Sequence, residues 1–352
     1  MAFMSDKVRG IFRLIAADFV VLSGIENGGD TPLTFLWSGS EKHLTYFQKR
    51  IFGLNAVTLK RIGRRPITML NSLLSKFDCS FGATILQRDV VPVFERPGDF
   101  SLPLWVDCDV DLSAERTYAK SESMRGDLRK IRNNQLTWKV SGKRDDFEFF
   151  FEKIYLPTVT SSHGRAALLA SQHKRLQQIE SGTMELIQVM RDDQFIAGVT
   201  IDYRDDVPGL RDSGVLDGSP DIKKLAAITA TYLFAMDYLA SKGYSKVGFG
   251  RSRSFLDDGV LNFKRKFRPV IIGGSDDSLL LRIRHLDDST RSMLCSSPCV
   301  SWQSGKLHRT YFRDESHEHP GQRERQNRGG WRFGLDAESV FDVSGESILP
   351  LT

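Results

Sequence analysis

A mixed α/β fold is what this sequence predicts, and three observations carry that reading. Short runs rich in β-branched residues, such as Ala56 to Lys60 and Gly82 to Val93, alternate with helical patterns such as Ile67 to Phe77. Two apolar runs, Met184 to Met190 and Gln194 to Tyr203, are joined by Arg191-Asp192-Asp193, a hairpin signal. The long helical pattern from Ile222 to Lys242 stops at Gly243 and is followed at once by the strand pattern Tyr244 to Phe249.

At 352 residues the chain exceeds the usual size of one domain, so one large domain or two small ones is expected. Hydrophobic content of 40% and charged content of 26% describe an ordinary globular chain, and a net charge of +5 permits an anionic ligand without demanding nucleic acid. Four scattered cysteines do not form a disulfide framework. The apolar run Ile11 to Leu22 is interrupted by Arg13 and Asp18, is too short to span a bilayer and has no cleavage pattern. A cytoplasmic protein without stable membrane insertion is therefore the expectation.

The elements follow in order. Between Val8 and Asp111, turn signals at Gly28-Gly29-Asp30, Gly39-Ser40 and Pro97-Gly98-Asp99 separate the apolar runs. Arg116 to Arg144 holds nine Lys or Arg against Glu122 and Asp127. Its centre is helical, with Met124, Leu128 and Ile131 on one face, Arg125, Arg129 and Arg132 on another, and Ser121 or Ser123 as N-cap. The aromatic helix Asp145 to Tyr155 is expected to stop at Pro157, with Thr158 to Gly164 as a loop. A helix from Ser171 to Ser181 ends at Gly182. Arg211 to Leu216, Val270 to Ile272 and Leu279 to Ile283 read as further strands. Past Asp287 apolar anchors thin out, and Gly305 to Gly330 reads as a polar, partly disordered tail. The expected division is 1–115, 116–286 and 287–352.

The stretch from Lys246 to Phe267 bears most directly on function. A strand runs into an arginine-loaded glycine turn, Gly250-Arg251-Ser252-Arg253, then an acidic turn, Asp257-Asp258-Gly259, then a short helix carrying Lys264 and Lys266. Core packing does not need that order, whereas a site for a phosphate-bearing ligand does. The same four cations could also form a solvated basic surface.

These segments form an ordered set that resembles the GNAT-type acyltransferases of the FemAB-like group, known from cell-envelope and polysaccharide gene clusters. The residues that carry the resemblance are Arg125 to Arg132, Ile154-Tyr155-Leu156-Pro157, His163-Gly164, Ile196-Ala197-Gly198, Lys242-Gly243-Tyr244 and Gly259 to Phe267, within 116–285. It implies a mixed sheet flanked by helices, with two tandem halves, the first (1–115) degenerate. It also implies acyl transfer from acyl-coenzyme A (acetyl-coenzyme A) to an amine or hydroxyl of a small molecule, such as a sugar or cell-envelope precursor, at a splayed strand pair. That pair is expected to be Gln194 to Tyr203 and Tyr244 to Gly250. Aminoacyl-tRNA is the alternative donor. A non-catalytic module that binds nucleic acid or a lipid surface is the alternative of another class. The chain departs from the group in having Arg268-Pro269 after Phe267, and in a pyrophosphate-loop position, Gly214 to Pro220, where Asp217 and the neighbouring Asp221 would repel an anion.

The candidate general bases are His163, Asp258 and Tyr155, each with a plainer reading. For His163 that is local hydrogen bonding, for Asp258 a helix cap, and for Tyr155 core packing. Arg251, Arg253, Lys264, Lys266, Arg125 and Arg129 are the candidate donor contacts, with the Lys246–Phe267 stretch placed across a cleft from the arginine helix. No metal is expected. Cys295-x3-Cys299 with His308, His317 and His319 has ligand types suited to zinc, but its spacing matches no finger.

Overall fold

The computed structural model describes residues 16–27, 29–113, 119, 121–163, 170–314, 332–335, 337–345 and 347–351. The chain divides into two compact units, the first comprising Met1–Val106, Arg253–Leu261 and Gly273–Thr352, the second Asp107–Ser252 and Asn262–Ile272.

The first unit contains β1 (Ala16–Ile25), β2 (Pro32–Ser38), α1 (Glu41–Phe52), β3 (Val57–Pro66), α2 (Leu70–Lys76), β4 (Phe81–Gln87), α3 (Val91–Phe94) and β5 (Phe100–Pro103). The chain continues into β6 (Trp105–Asp111) and the second unit: α4 (Glu122–Asn133), β7 (Thr137–Ser141), α5 (Arg144–Phe149), a π-helix (Phe150–Tyr155), α6 (Leu156–His163) and α7 (Gln172–Glu180). Next come β8 (Met184–Arg191), β9 (Gln194–Asp202), β10 (Gly209–Val215), α8 (Pro220–Lys224), α9 (Ala227–Ser241), β11 (Lys246–Arg253), α10 (Gly259–Arg265) and β12 (Val270–Gly274). Finally β13 (Asp277–Ile283), α11 (Asp288–Cys295), β14 (Cys299–Gln303), β15 (Lys306–Arg313), β16 (Glu338–Asp342) and β17 (Leu349–Leu351) belong to the first unit.

Three sheets result, in the orders β3-β1-β2-β4-β13-β5, β12-β6-β11-β10-β9-β8-β7 and β14-β15-β16-β17. The first two mix parallel and antiparallel pairs, so the mixed α/β class stands. Side-chain alternation fills both faces of the first sheet. Leu22, Phe35, Trp37 and Phe81 pack with α1 on one face, and Phe19, Val21, Leu36 and Leu280 pack with α2 on the other. In the second unit Phe147, Phe150, Ile154 and Leu186 form the core beneath α5, the π-helix and α7.

Several sequence expectations are corrected. Pro157 does not end the aromatic helix. The turns before it widen into a π-helix, which accommodates the missing N–H and the ring, and α6 runs on to His163 where a loop was expected. The Ile222–Lys242 helix is two helices, broken where Ala226 takes a left-handed φ of 64°. Leu128 is on the surface at 36% exposure, although Met124 and Ile131 of α4 are buried as the helical spacing required. The described residues after 287 form α11 and the sheet β14 to β17, and β13, inside the expected 116–286 segment, sits between β4 and β5 of the first sheet. The carboxylate of Asp287 caps α11 by accepting from the Thr290 N–H at 2.8 Å. The hairpin is present: Asp192 and Asp193, with φ of 48° and 59°, form its two-residue turn.

Candidate active site

The strand register of the second unit leaves one pair of neighbouring strands joined at a single point. β7, β8, β9 and β10 form an antiparallel run, and β10 meets β11 in parallel. The parallel pair registers at one point, Gly209 opposite Gly248, where the Gly248 N–H also donates to Pro208 O at 2.8 Å. No further residues of the two strands are paired toward their C-terminal ends. The splayed pair is therefore β10 with β11. β9, expected beside β11, is displaced by one position because Arg211 to Leu216 is a full strand of the same sheet.

Helix α9 runs back from the end of β10 toward the start of β11, so its N-terminus lies at the end where the strands part. No side chain caps that terminus: its N-cap is Ala226, in left-handed conformation. An uncapped helix start offers backbone N–H groups and the positive end of the helix dipole to an anion. Asp221, expected to repel one, is paired with Lys224 at 2.8 Å. α4 is tied to the first turn of α9, because Asp127 accepts from the Thr229 hydroxyl at 2.8 Å. Arg125 and Arg129 are exposed on α4.

Side chains on β10 alternate between two environments. Asp212 and Gly214 point to the layer of the π-helix, α6 and α7. The Thr158 hydroxyl donates to Val215 O at 3.0 Å and accepts from Val215 N–H at 2.9 Å, and a Cβ at Gly214 would stand 2.5 Å from Ile154 O. The strand end is thus held against α6 with no spare room. Asp212, 8% exposed, receives Arg175 Nε at 2.8 Å. Burial pushes its carboxyl above the usual carboxylate range, with Arg175 opposing that shift. On the other side of β10, the Ser213 hydroxyl bonds Tyr232 of α9. The Tyr232 ring meets Phe249, Phe263 and Phe267 at 5.0, 5.2 and 5.4 Å. Burial raises the Tyr232 phenol above its ordinary value.

The structure redistributes the residues that the sequence singled out. Tyr155 is 5% exposed, its hydroxyl accepts from the Ala170 N–H at 3.0 Å, and burial raises its pKa, so it is a core phenol and not a base. Lys264 is 2% exposed and gives its ammonium to Gly250 O and Arg251 O at 2.8 and 2.9 Å, which removes it from the donor contacts. Lys266 is paired with Asp127 at 2.9 Å, so the lysine helix touches the arginine helix and no cleft separates them. Arg251 is exposed, 3.7 Å from Asp107. His163 is the last residue of α6. Arg253 and Asp258 belong to the first unit. There Arg253 lies 3.8 Å from the Trp105 ring and 4.5 Å from the Tyr46 ring, and donates to His43 Nδ1 at 2.8 Å. Asp258 caps α10 through Val260 N–H at 3.0 Å and accepts from the Tyr46 hydroxyl at 3.1 Å. Both make these contacts within the first unit, apart from the residues placed at β10 and α9.

Asp212, Ser213, Tyr232 and the α9 terminus went unselected in the sequence. Asp212 sits in an ordinary strand pattern, and the break at Ala226 has no glycine or proline to signal it. Among the described residues no group of His, Cys, Asp or Glu is arranged to hold a metal ion, and no helix is long and apolar enough to cross a membrane. Cys299 is buried, His308 bonds the Ser339 hydroxyl at 2.9 Å, and His317 and His319 lie outside the described residues.

No protein-family model and no curated protein matches this chain. Among solved structures it is similar to FemX, at 10% identity and a TM-score of 0.41, covering 74% of this chain and 83% of that one. It is also similar to the C-terminal domain of a lysylphosphatidylglycerol synthetase from Agrobacterium fabrum, at 12% identity and a TM-score of 0.37, covering 78% and 84%. A third is a GCN5-related N-acetyltransferase from Kribbella flavida, at 11% identity and a TM-score of 0.31, covering 79% and 92%. With TM-scores below 0.5, the functional reading rests on the chain's own geometry.

Proposed function

We propose that the second unit transfers an acyl group from an acyl thioester, acyl-coenzyme A, to an amine or hydroxyl of a small acceptor. The observation that carries this reading is the parting of β10 from β11 beyond Gly209 and Gly248, with the uncapped start of α9 at the same end. The unpaired backbone of the two strands could hydrogen-bond the donor's extended arm, and the helix start suits its pyrophosphate. Arg125 and Arg129, on the helix tied to α9, supply further positive charge. Asp212 is the candidate base: the acceptor's nucleophilic atom bonds to the acyl carbon, its proton passes to the Asp212 carboxylate, and the carbon–sulfur bond breaks to release a thiolate. A carboxylate whose pKa is raised by burial is a stronger base than an ordinary one, which suits that task. The Ser213 and Tyr232 hydroxyls, bonded to each other, lie on the side of β10 opposite Asp212. Aminoacyl-tRNA presents the same kinds of group, an activated acyl carbon and phosphates, and is the second donor to be assayed.

The test is thermal denaturation with acetyl-coenzyme A and with aminoacyl-tRNA, on the full chain and on Ala226→Asp. A donor at about a hundred times its Kd should stabilise the protein by roughly 2.7 kcal/mol. Ala226 is 6% exposed, so the added carboxylate lowers Tm by its burial, offset in part by the helix dipole, and the readout is the donor-dependent increment, which should disappear. An unchanged increment in Ala226→Asp would move the site elsewhere, and no increment with either donor would end the transferase reading.

A further inference from the structure

Strand β3 ends the first sheet among the described residues and is exposed along most of its length. It carries Lys60, Arg61, Arg64 and Arg65. Its pairing with β1 sets Lys60 opposite Val21 and Arg65 opposite Ala17, which lie toward α2, and Arg61 opposite Val20, which lies toward α1. Arg64 stands opposite Asp18. The cations therefore flank both faces of the strand, and the edge itself is what they present. Lys76 of α2 joins them: its ammonium and that of Lys60 lie 5.7 and 5.0 Å from the centre of the Phe77 ring. The acids within this patch are Asp18 and Glu41, the latter 3.4 Å from Arg61 in a solvent-exposed pair. At the strand's leading end the α1–β3 turn projects Leu54, which is 98% exposed, and Leu59 on the strand is 42% exposed.

We infer that this edge docks the protein on an anionic lipid surface. Five cations against two acids give the attraction, and two protruding leucines supply apolar surface that gains by entering the acyl boundary. Lys and Arg on either side of the edge can lay their stems along the interface and keep their charges at the headgroups. A nucleic acid is the poorer fit, because single strands are gripped by stacking on exposed rings. The one ring named in this patch, Phe77, lies under the two lysines, and an exposed leucine gains nothing from phosphates. The inference is independent of the transfer reading, since it concerns the first unit and no residue placed at the candidate active site.

The test is co-sedimentation of the full chain with vesicles of phosphatidylcholine alone and of phosphatidylcholine mixed with phosphatidylglycerol, with a double-stranded RNA titration beside it. Binding is expected on the mixed vesicles only and should weaken as salt is raised. Arg61→Gln with Arg64→Gln should weaken it about 25-fold, at about fivefold for each charge removed. Leu54→Ser, at a fully exposed turn where folding is not at stake, should weaken it roughly tenfold. Equal binding to both vesicle types, no effect of either variant, or binding to RNA without binding to vesicles would each overturn the inference.

Discussion

The parallel pair β2 and β4 of the first unit and the parallel pair β10 and β11 of the second are built differently. In the first unit β2 and β4 stay in register from Phe35–Phe81 through Ser38–Thr84, and large side chains seal them, with the Phe35 and Phe81 rings stacked at 5.0 Å. In the second unit β10 and β11 register at one pair of glycines, stay close as far as Leu210 and Gly250, and are not paired beyond. A Cβ at Gly248 would come 3.7 Å from Gly209 Cα, an ordinary contact distance, so the pairing there does not depend on the missing side chain. A zipped pair leaves no backbone exposed for a ligand, whereas a pair joined at one point does. The buried carboxylate Asp212 lies on the parted strand, and the ion pair that surrounds it would be costly to maintain for packing alone. That contrast places the proposed chemistry in the second unit.

The comparison breaks most readily at Asp212. If the parted strand is catalytic, Asp212→Asn should lower transfer by about 10² to 10⁴, with the donor-dependent rise in Tm retained. Thiol release with acetyl-coenzyme A and a panel of amines would measure it, and an unchanged rate would reduce Asp212 to a partner of Arg175. Smaller in effect is Gly214→Ala. The added methyl meets the Ile154 carbonyl at 2.5 Å, backbone against backbone, so the π-helix must move off β10 at a cost of about 3 kcal/mol in a urea titration. Near-normal stability would mean that the strand end is looser than the close contact with Thr158 implies.

The smallest effect belongs to the first unit and separates stability from transfer. His43, held by the Arg253 guanidinium, has its pKa lowered to about 4 from 6.5, by burial first and by Arg253 second. A depressed pKa means that the unfolded chain binds the proton more readily. The contribution is therefore complete above about 6.5, declines as pH falls below it, and is gone once pH passes below about 4. His43→Asn should flatten the fall in urea midpoint between pH 7 and pH 5. A variant with the same slope as the parent would show that other groups set it.

What the sequence discloses depends on range. The α4 helix with a serine cap at Ser121 or Ser123, the hairpin at Asp192-Asp193 and strands β11 to β13 rest on neighbours a few residues apart, and these could be read directly. The candidate site rests on pairings that local pattern does not encode. A strand's alternation gives no sign of whether the next strand stays paired with it, so the parting of β10 from β11 was assigned one strand away. Charge was also a poor guide to exposure. Arg253 and Lys264 looked like ligand contacts because they sit in a basic run, yet one is stacked on Trp105 and the other binds two carbonyls. Side chains that long can reach inward as easily as outward.

The position of β13 has a consequence for how the protein is made. It completes the first sheet between β4 and β5, but it follows the whole of the second unit in the chain. During synthesis β4 and β5 must wait, with their inner edges unpaired, while residues 107–272 are added. The second sheet draws its last strand, β12, from within that stretch and can close first. The unit that begins the chain is thus the later one to mature, and a product released at residue 272 would expose two strand edges ready to pair with another chain.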